Sequence, residues 1–429
     1  MLFLASLAGG LSAQTNGSNS PYSRYGFGLL ADPAQGFNKG MGGLSLGMRD
    51  GAMLNNQNPA SYSAINPLTF LFDIGVSLQN MNLNYNGQKI NAKNTSLDYI
   101  NMGFRAGKNV GISLGFMPFS TIGYSISNSE TMDDNDGFGE KTTTTTYNGN
   151  GGLRRIYAGI GWSPINRFSI GANLSYLWGD YTHRTSASFS ETTIQSLSRT
   201  YTASINTYKV DFGIQYEQPI NEKNRLIFGA TYGLGHNINS DAELYNQKLN
   251  NGSVIGADTI KTPNAFALPH SFGAGVVWEH NRKIRVGIDY TNEMWSKTKF
   301  PQLTEFNGKT YYGSTTGAFT DRYRIITGVE YIPNIDGIRY ANHIRYHAGF
   351  SFSSPYTKIN GIDGANSYIL SVGVGLPIMN LYSNRSVINV SAQWEHVSPK
   401  SGNLMKEDYL RLCVGITFNE AWFKKWKVE

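Results

Sequence analysis

The sequence has little of three things that most proteins of its length contain. Its 429 residues include one cysteine, Cys413, which excludes an intrachain disulfide and a cysteine-based metal site. Charged residues make up 15% of the chain, against about 25% in typical soluble domains. Beyond the N-terminus, no apolar run reaches the about 18 residues that a membrane-spanning helix needs. The chain is therefore neither a disulfide scaffold nor a helical membrane protein.

A concentrated basic surface is missing as well. The net charge is +6, but Lys and Arg are scattered and form no basic stripe with interleaved aromatic residues. We therefore expect no nucleic-acid partner. No Pro/Ser-rich linker or run of charge divides the chain into soluble domains.

Tyrosine and glycine are abundant instead, with 26 and 48 residues, and the mean hydropathy is -0.32. Many segments alternate between apolar and polar residues. In residues 167–178, for example, Phe168, Ile170 and Leu174 share one face, and Ser169 and Asn173 share the other. Such alternation places lipid-facing and lumen-facing residues on opposite sides of a transmembrane β-strand while keeping average hydropathy low. Aromatic residues at the ends of apolar faces fit the girdles of a barrel.

The alternation predicts an all-β fold, a membrane-spanning antiparallel β-barrel of about 14 strands. Short and long polar connections follow each other in turn, as periplasmic turns and external loops do in such barrels. The predicted long loops include 84–96, 128–143, 185–199 and 241–268. The predicted strands lie near 69–83, 97–107, 109–127, 144–163, 167–184, 200–217, 225–240, 269–280, 284–298, 321–332, 341–354, 366–377, 386–397 and 408–418.

The N-terminal residues fall outside this pattern. Residues 1–13 have the short apolar core and cleavage box of a signal peptide; the alternative is a buried first strand. Residues 14–68 are rich in Gly, Asn and Ser and show no sustained alternation. Such a segment is either disordered or folded into the lumen. A barrel of about 14 strands is too wide to be filled by its own side chains, so we expect 14–68 to form a plug, or hatch, in the lumen. The barrel would then span 69–418, followed by a periplasmic aromatic-basic tail at 419–429.

Several motifs resemble the FadL-type family of outer-membrane transporters for long-chain fatty acids and aromatic hydrocarbons. Residues 50–60, DGAMLNNQNPA, look like the family's hatch signature ahead of the first strand. Residues 268–298 resemble its strand–turn–strand unit, and 321–331 also fit. The resemblance covers most of the chain. The opening NSPYSRYGFG and the ending FNEAWFKKWKVE look like divergent Bacteroidota members.

The resemblance implies a monomeric barrel whose hatch motif is Asn58, Pro59 and Ala60; an ordinary Asn-Pro turn is the alternative. In that family an apolar ligand leaves sideways into the membrane through a gap at a kinked third strand. Pro118 and Gly123 lie in the third predicted strand, and proline cannot donate to a ladder. They are the candidate lateral opening, although Pro118 could mark a bulge near the rim instead.

We find no candidate catalytic residue, metal site or cofactor. His343 and His347 are predicted to face the lumen, but four residues along a strand span about 13 Å, too far for one metal ion. Residues 133–137, DDNDG, lack the spacing of an EF-hand. The chain is therefore not predicted to be an enzyme.

The C-terminal residues suggest a membrane boundary. Phe418, Trp422, Phe423 and Trp426, interleaved with lysines, are expected to anchor at the membrane–water interface. A contact with another protein in the periplasm is the equal alternative. The predicted barrel and the family resemblance imply location in the bacterial outer membrane, with outer-membrane lipid or lipopolysaccharide as partners.

Two functions remain open. The first is passive transport of an apolar small-molecule ligand, such as a fatty acid or hydrocarbon, with lateral release into the membrane. The second is a structural role beside other outer-membrane proteins in an assembly or secretion complex, which the polar loops, long N-terminal segment and aromatic-basic tail suggest.

Overall fold

The computed structural model describes residues 19–421 except 86–87, 133–140, 192–193, 251, 307–308, 380–384 and 401–404. The predicted signal peptide and the anchors Trp422, Phe423 and Trp426 lie outside the described residues. Within them, 14 strands form the wall. We number these wall strands in chain order: Thr69–Tyr85, Gln88–Gly107, Val110–Pro118 continued by Ser120–Met132, Lys141–Ile165, Phe168–Phe189, Ser196–Pro219, Asn224–Gly233, Ser271–His280, Ile284–Glu293, Arg322–Tyr331, Arg345–Ser353, Ala365–Met379, Arg385–Pro399 and Lys406–Ala421.

The wall closes on itself. Each wall strand pairs antiparallel with the next, and wall strand 14 pairs with wall strand 1 from Thr69↔Ala421 to Asn84↔Lys406. Lys141–Ile165 is one strand, so the number is even, as a bacterial barrel requires. The predicted 14-stranded antiparallel barrel is confirmed.

The apolar faces of the strands point outward. On wall strand 6, Tyr208, Phe212 and Ile214 are 45–48% exposed, whereas Gln215, on the lumen face, is 1% exposed. The same phase holds on wall strand 14, where Leu412 is exposed and Cys413 is buried. Phe418 lies on that outer face, with its ring centroid 6.3 Å from that of Phe72. Among the described residues, no helix is long and apolar enough to cross a membrane.

The prediction was wrong where it assigned long irregular loops. Wall strands 1 and 2 continue through most of 84–96, and Ala242–Asn250 and Ser253–Thr262 extend the sheet beside wall strand 6. In 89–96 most side chains on both faces of the hairpin are exposed, so the alternation disappears although the hydrogen-bond ladder continues. Wall strands 7 and 9 end earlier than predicted, at Gly233 and Glu293.

Short elements complete the fold. Helical turns occupy Pro21–Arg24, Gly36–Lys39, Pro59–Ala64, Trp295–Lys297 and Tyr340–His343. Short strands occupy Leu29–Leu30, His236–Ile238, Phe266–Leu268, Phe300–Phe306, Lys309–Thr315, Lys358–Ile359 and Ile362–Asp363.

Residues 19–68, the N-terminal segment, pack against the lumen face of the wall. The wall has glycine where the backbone of the segment comes close. A Cβ atom added at these positions would lie 1.9–2.8 Å from a backbone atom of the segment: Gly111, Gly161, Gly171, Gly229, Gly328, Gly349 and Gly415. The segment therefore touches the wall with its peptide groups, on strands from several sides of the lumen.

A methyl group at this contact should destabilise the barrel. Gly111→Ala and Gly229→Ala would each place a Cβ 1.9 Å from a carbonyl oxygen, of Tyr62 and Leu46 respectively. Overpacking of this kind costs about 1–3 kcal/mol. We expect a lower unfolding temperature, measured by the loss of the compact, fast-migrating form on unheated SDS gels. Gly313→Ala is the control, because nothing lies within 4 Å of an added Cβ there. Equal unfolding temperatures for all three variants would contradict the close packing.

Candidate functional site: the N-terminal segment and the break in wall strand 3

Wall strand 3 is broken next to Pro118. Its lower part, Val110–Pro118, pairs with wall strands 2 and 4. Its upper part, Ser120–Met132, pairs with wall strand 4 but not with wall strand 2. Within the described residues, 88–97 and Tyr99 of wall strand 2 pair with wall strand 1 alone. The ladder is thus split between wall strands 2 and 3 above Pro118.

Residues 19–31, which we name the strap, cross this split. On one side, the Ser20 hydroxyl donates a 2.7 Å hydrogen bond to Glu407 of wall strand 14, and the Tyr22 hydroxyl donates to the Met405 carbonyl at 2.5 Å. Asn19 donates to Asn94 of wall strand 2 at 3.4 Å. The strap is therefore attached to the wall on the side of the split that contains wall strands 14 and 2.

The strap is also attached beyond the split. Ser23 Oγ accepts from the Gly123 N–H at 3.3 Å. Leu29–Leu30 pairs antiparallel with Thr121 and Ser120. The Ala31 N–H donates to the Phe119 carbonyl at 2.9 Å. Backbone groups at the break thus have partners in the chain's own N-terminal segment, as burial requires.

Phe27 of the strap fills an aromatic cage in the upper lumen. Its ring centroid lies 5.4–6.2 Å from four others, and its side chain is 1% exposed. The cage comes from the external connections after wall strands 7 and 9: Phe266, Trp295, Phe300 and Phe319. Aromatic pairs in such geometry add about 0.5–1.5 kcal/mol each beyond simple burial. Phe27 therefore fixes the strap strongly.

The motif residues Asn58, Pro59 and Ala60 lie lower, against wall strands 4 to 6. The Asn58 amide donates to the carbonyls of Leu46 and Ile214, at 2.8 and 3.1 Å, while its oxygen accepts from the Ala60 N–H at 3.2 Å. Pro59 begins the short helix Pro59–Ala64. The motif therefore joins two parts of the N-terminal segment to the wall as well as making a turn.

A neighbouring residue links the motif to the break. The Asn56 amide, two residues earlier, lies 3.3 Å from the Met117 sulfur, next to Pro118. Gly123 lies further up, against the strap. The hatch formed by Asn58, Pro59 and Ala60 stays a prediction, and so does the lateral opening at Pro118 and Gly123.

An ion network anchors the segment near the periplasmic end. Arg285 contacts Asp50 at 3.0 Å, Glu279 at 2.7 Å and Glu330 at 2.9 Å. Arg345 adds contacts of 3.4 and 3.5 Å to Asp50 and Glu330. Burial alone would raise the pKa of Asp50, but the guanidinium groups of Arg285 and Arg345 outweigh it and lower that pKa to about 2. Asp50 is therefore ionised at neutral pH.

The two histidines differ in position. His347 faces the lumen, as predicted, and its Nε2 lies 3.0 Å from Glu330. The prediction for His343 was wrong: it lies in the turn Tyr340–His343 before wall strand 11, with its Nε2 2.6 Å from the Gly337 carbonyl. In the part of the chain that the structure describes, no three His, Cys, Asp or Glu side chains group as metal ligands would.

The BamG family matches the chain over residues 1–429. The chain belongs to the BamG family. No curated protein sequence matches it. BamG-family and FadL-type barrels are outer-membrane proteins, which confirms the predicted location of this BamG-family barrel.

Solved structures share its fold. The CymD monoaromatic hydrocarbon channel is 14% identical, with 93% of this chain and 100% of that chain covered and a TM-score of 0.58. A Pseudomonas aeruginosa FadL homologue is 12% identical, with 89% and 98% covered and a TM-score of 0.58. The Ralstonia pickettii toluene transporter TbuX is 12% identical, with 89% and 97% covered and a TM-score of 0.54. At such identities the likeness shows that this BamG-family barrel has the FadL-type fold.

Loss of Arg285 should release the N-terminal segment. Arg285→Gln leaves the carboxylates of Glu279 and Glu330 buried with less counter-charge, and breaking a buried ion pair costs about 3–5 kcal/mol. We expect trypsin to cut folded Arg285→Gln barrels after Lys39 and Arg49, which the wild type should protect. The matched control is Arg339→Gln, at an exposed position in the turn before wall strand 11. Equal protection of both variants would show that the network does not hold the segment.

Proposed function

We propose that this BamG-family barrel is a closed structural subunit of an outer-membrane protein assembly. In this role the barrel presents surfaces to other outer-membrane proteins and conducts nothing. No catalytic step is part of the proposal.

The occupied lumen is the observation that carries the proposal. The N-terminal segment reaches from Ser20, near the external end, to the ion network of Asp50 near the periplasmic end. Phe27 fills the aromatic cage, where an apolar ligand would otherwise find aromatic side chains to contact. Leu29–Leu30 pairs with the backbone at the break, through which a ligand would have to leave. A transported molecule would have to displace all of these contacts.

Membership of the BamG family gives some support to the same role. The FadL-type fold does not oppose it, because one fold hosts many functions and the function belongs to the site. Here the site is filled by the chain itself.

Mild detergent extraction from the native membrane tests the proposal. We expect the barrel to co-purify with other outer-membrane proteins in fixed proportion, measured by size-exclusion chromatography and mass spectrometry of an affinity-tagged chain. An unrelated tagged outer-membrane barrel from the same cells is the control for adventitious association. A lone monomer carrying bound lipid would contradict the proposal.

Passive transport of an apolar small molecule is the second candidate. The structural neighbours include a monoaromatic hydrocarbon channel and a toluene transporter. The break at Pro118 and the aromatic cage favour this function, provided that the strap moves away. The route would then run from the cage past Gly123 and sideways into the membrane.

Locking the strap separates the two candidates. Leu29 and Thr121 are register partners, so Leu29→Cys with Thr121→Cys, in a Cys413→Ser background, should form a disulfide that holds the strap. We expect the locked barrel to match the wild type in uptake of a labelled fatty acid and in co-purification with partners. The single-cysteine variants are the controls. Uptake that falls on locking and returns on reduction would establish the transport candidate instead.

A further inference from the structure

A cavity of about 710 Å³ opens at the external end of the barrel. On wall strand 5 the outward side chains change from Leu174 and Tyr176 to Asp180 and Arg184, so the lipid-facing surface ends between them. The inward side chains beyond that level, among them Tyr181 and His183, line the cavity. The cavity therefore lies above the membrane, among the external hairpins, and its volume suits a small ligand.

Tyrosine rings form much of its wall. Two of them, Tyr124 and Tyr181, are at most 5% exposed and belong to the buried cluster beneath the cavity. The rings come from wall strands 3 to 6 and the hairpin after wall strand 9: Tyr124, Tyr147, Tyr181, Tyr201 and Tyr312. The electron-rich face of an aromatic ring attracts weakly positive C–H groups, which sugars present on their flat faces.

The charged lining is mainly cationic. Arg24 of the strap is half-buried, with its guanidinium carbon 3.9 Å from the centre of the Tyr147 ring. Arg199 and Lys248 also line the cavity, with Asp258 as the carboxylate. Among the residues that the structure describes, none of these three cations has an ion-pair partner. A half-buried guanidinium without a carboxylate favours an anionic ligand.

Neutral hydrogen-bonding groups complete the cavity. His183 accepts or donates at Nδ1 with the Tyr124 hydroxyl, 2.8 Å away, whereas its buried Nε2 has no partner among the described residues. Asn246 and Gln247 contribute amide groups, and Ser198 and Thr185 contribute hydroxyls. Such a lining suits a ligand with many hydroxyl groups rather than a hydrocarbon.

We propose that this cavity binds an anionic saccharide, with sugar rings against the tyrosines and a carboxylate or phosphate group at Arg24 and Arg199. The site lies outside the membrane, where the sugars of lipopolysaccharide and free acidic polysaccharides both occur. The proposal goes beyond the structural role and does not depend on it, since a subunit and a transporter could each carry this site.

Binding to the purified full-length barrel in detergent, measured by isothermal titration calorimetry, tests the site. The anionic probes are tetragalacturonate and delipidated core oligosaccharide of lipopolysaccharide; maltotetraose is the neutral control. We expect saturable binding of at least one anionic probe, weakened at least tenfold by Arg24→Gln and by Arg199→Gln. Binding should also weaken as salt screens the charges. The probe that binds identifies the source of the ligand.

Arg184→Gln is the matched control, because Arg184 lies on the same strand as Tyr181 and His183 but points outward and does not line the cavity. The proposal is overturned if neither anionic probe binds, if maltotetraose binds as tightly, or if Arg184→Gln weakens binding as much as the cavity variants. Arg24→Gln could loosen the strap as well as weaken binding. Arg199 is exposed, so Arg199→Gln should leave the barrel fully folded and keeps the test valid. Co-purification with partners, measured on the same variants, should not change.

Discussion

The interior of a 14-stranded cylinder is too wide to be filled by its own side chains, and the rest of this structure depends on how that space is filled. The chain fills it with backbone. Lumen-facing glycines such as Gly111 and Gly229 let the peptide groups of the N-terminal segment approach the wall. A buried peptide group needs a hydrogen-bond partner, and wall side chains supply several: Asp289 accepts from the N–H groups of Ser45 and Leu46, and Gln215 donates to the Leu46 and Met48 carbonyls. The N-terminal segment and the wall therefore pack as one unit.

The two ends of the N-terminal segment are held by different kinds of interaction. Near the periplasm, Asp50 and Arg285 belong to a desolvated ion network in which each charge has an opposite partner within about 3.5 Å. Removal of one charge leaves the others buried without a full set of partners, so the segment is held firmly at this end. At the external end the strap is held by Phe27 and by hydrogen bonds across the split. Burial of one phenylalanine side chain contributes about 1.5–3 kcal/mol. The strap could therefore be released without disturbing the ion network.

The sequence predicted the wall well, because a strand between lipid and lumen must alternate, and the alternation fixes its register. It failed beyond the membrane: the hairpin after wall strand 1, exposed on both faces, has no alternation to read. The N-terminal segment could not be derived, because it has no period and its partners are remote. Asp50 and Arg285 are 235 positions apart, and the cage around Phe27 is assembled from two separate connections. The glycines on the lumen faces were visible in the sequence, but only the structure gives the reason for them.

The break at Pro118 is compatible with both candidate functions. Whether the strap stays in place therefore decides between them. A proline removes one ladder donor, and the split above it exposes backbone groups that must be paired. In an open channel, water or a ligand would have to satisfy them. Here Leu29–Leu30 and Ser23 do so, and Phe27 closes the adjoining cage. Transport would require the loss of strand pairing and of aromatic burial together, with each lost contact replaced by the passing ligand. A hydrocarbon could replace the aromatic contacts of Phe27, but it offers no hydrogen bond to the broken ladder. The backbone groups at the break would then be left without hydrogen-bond partners.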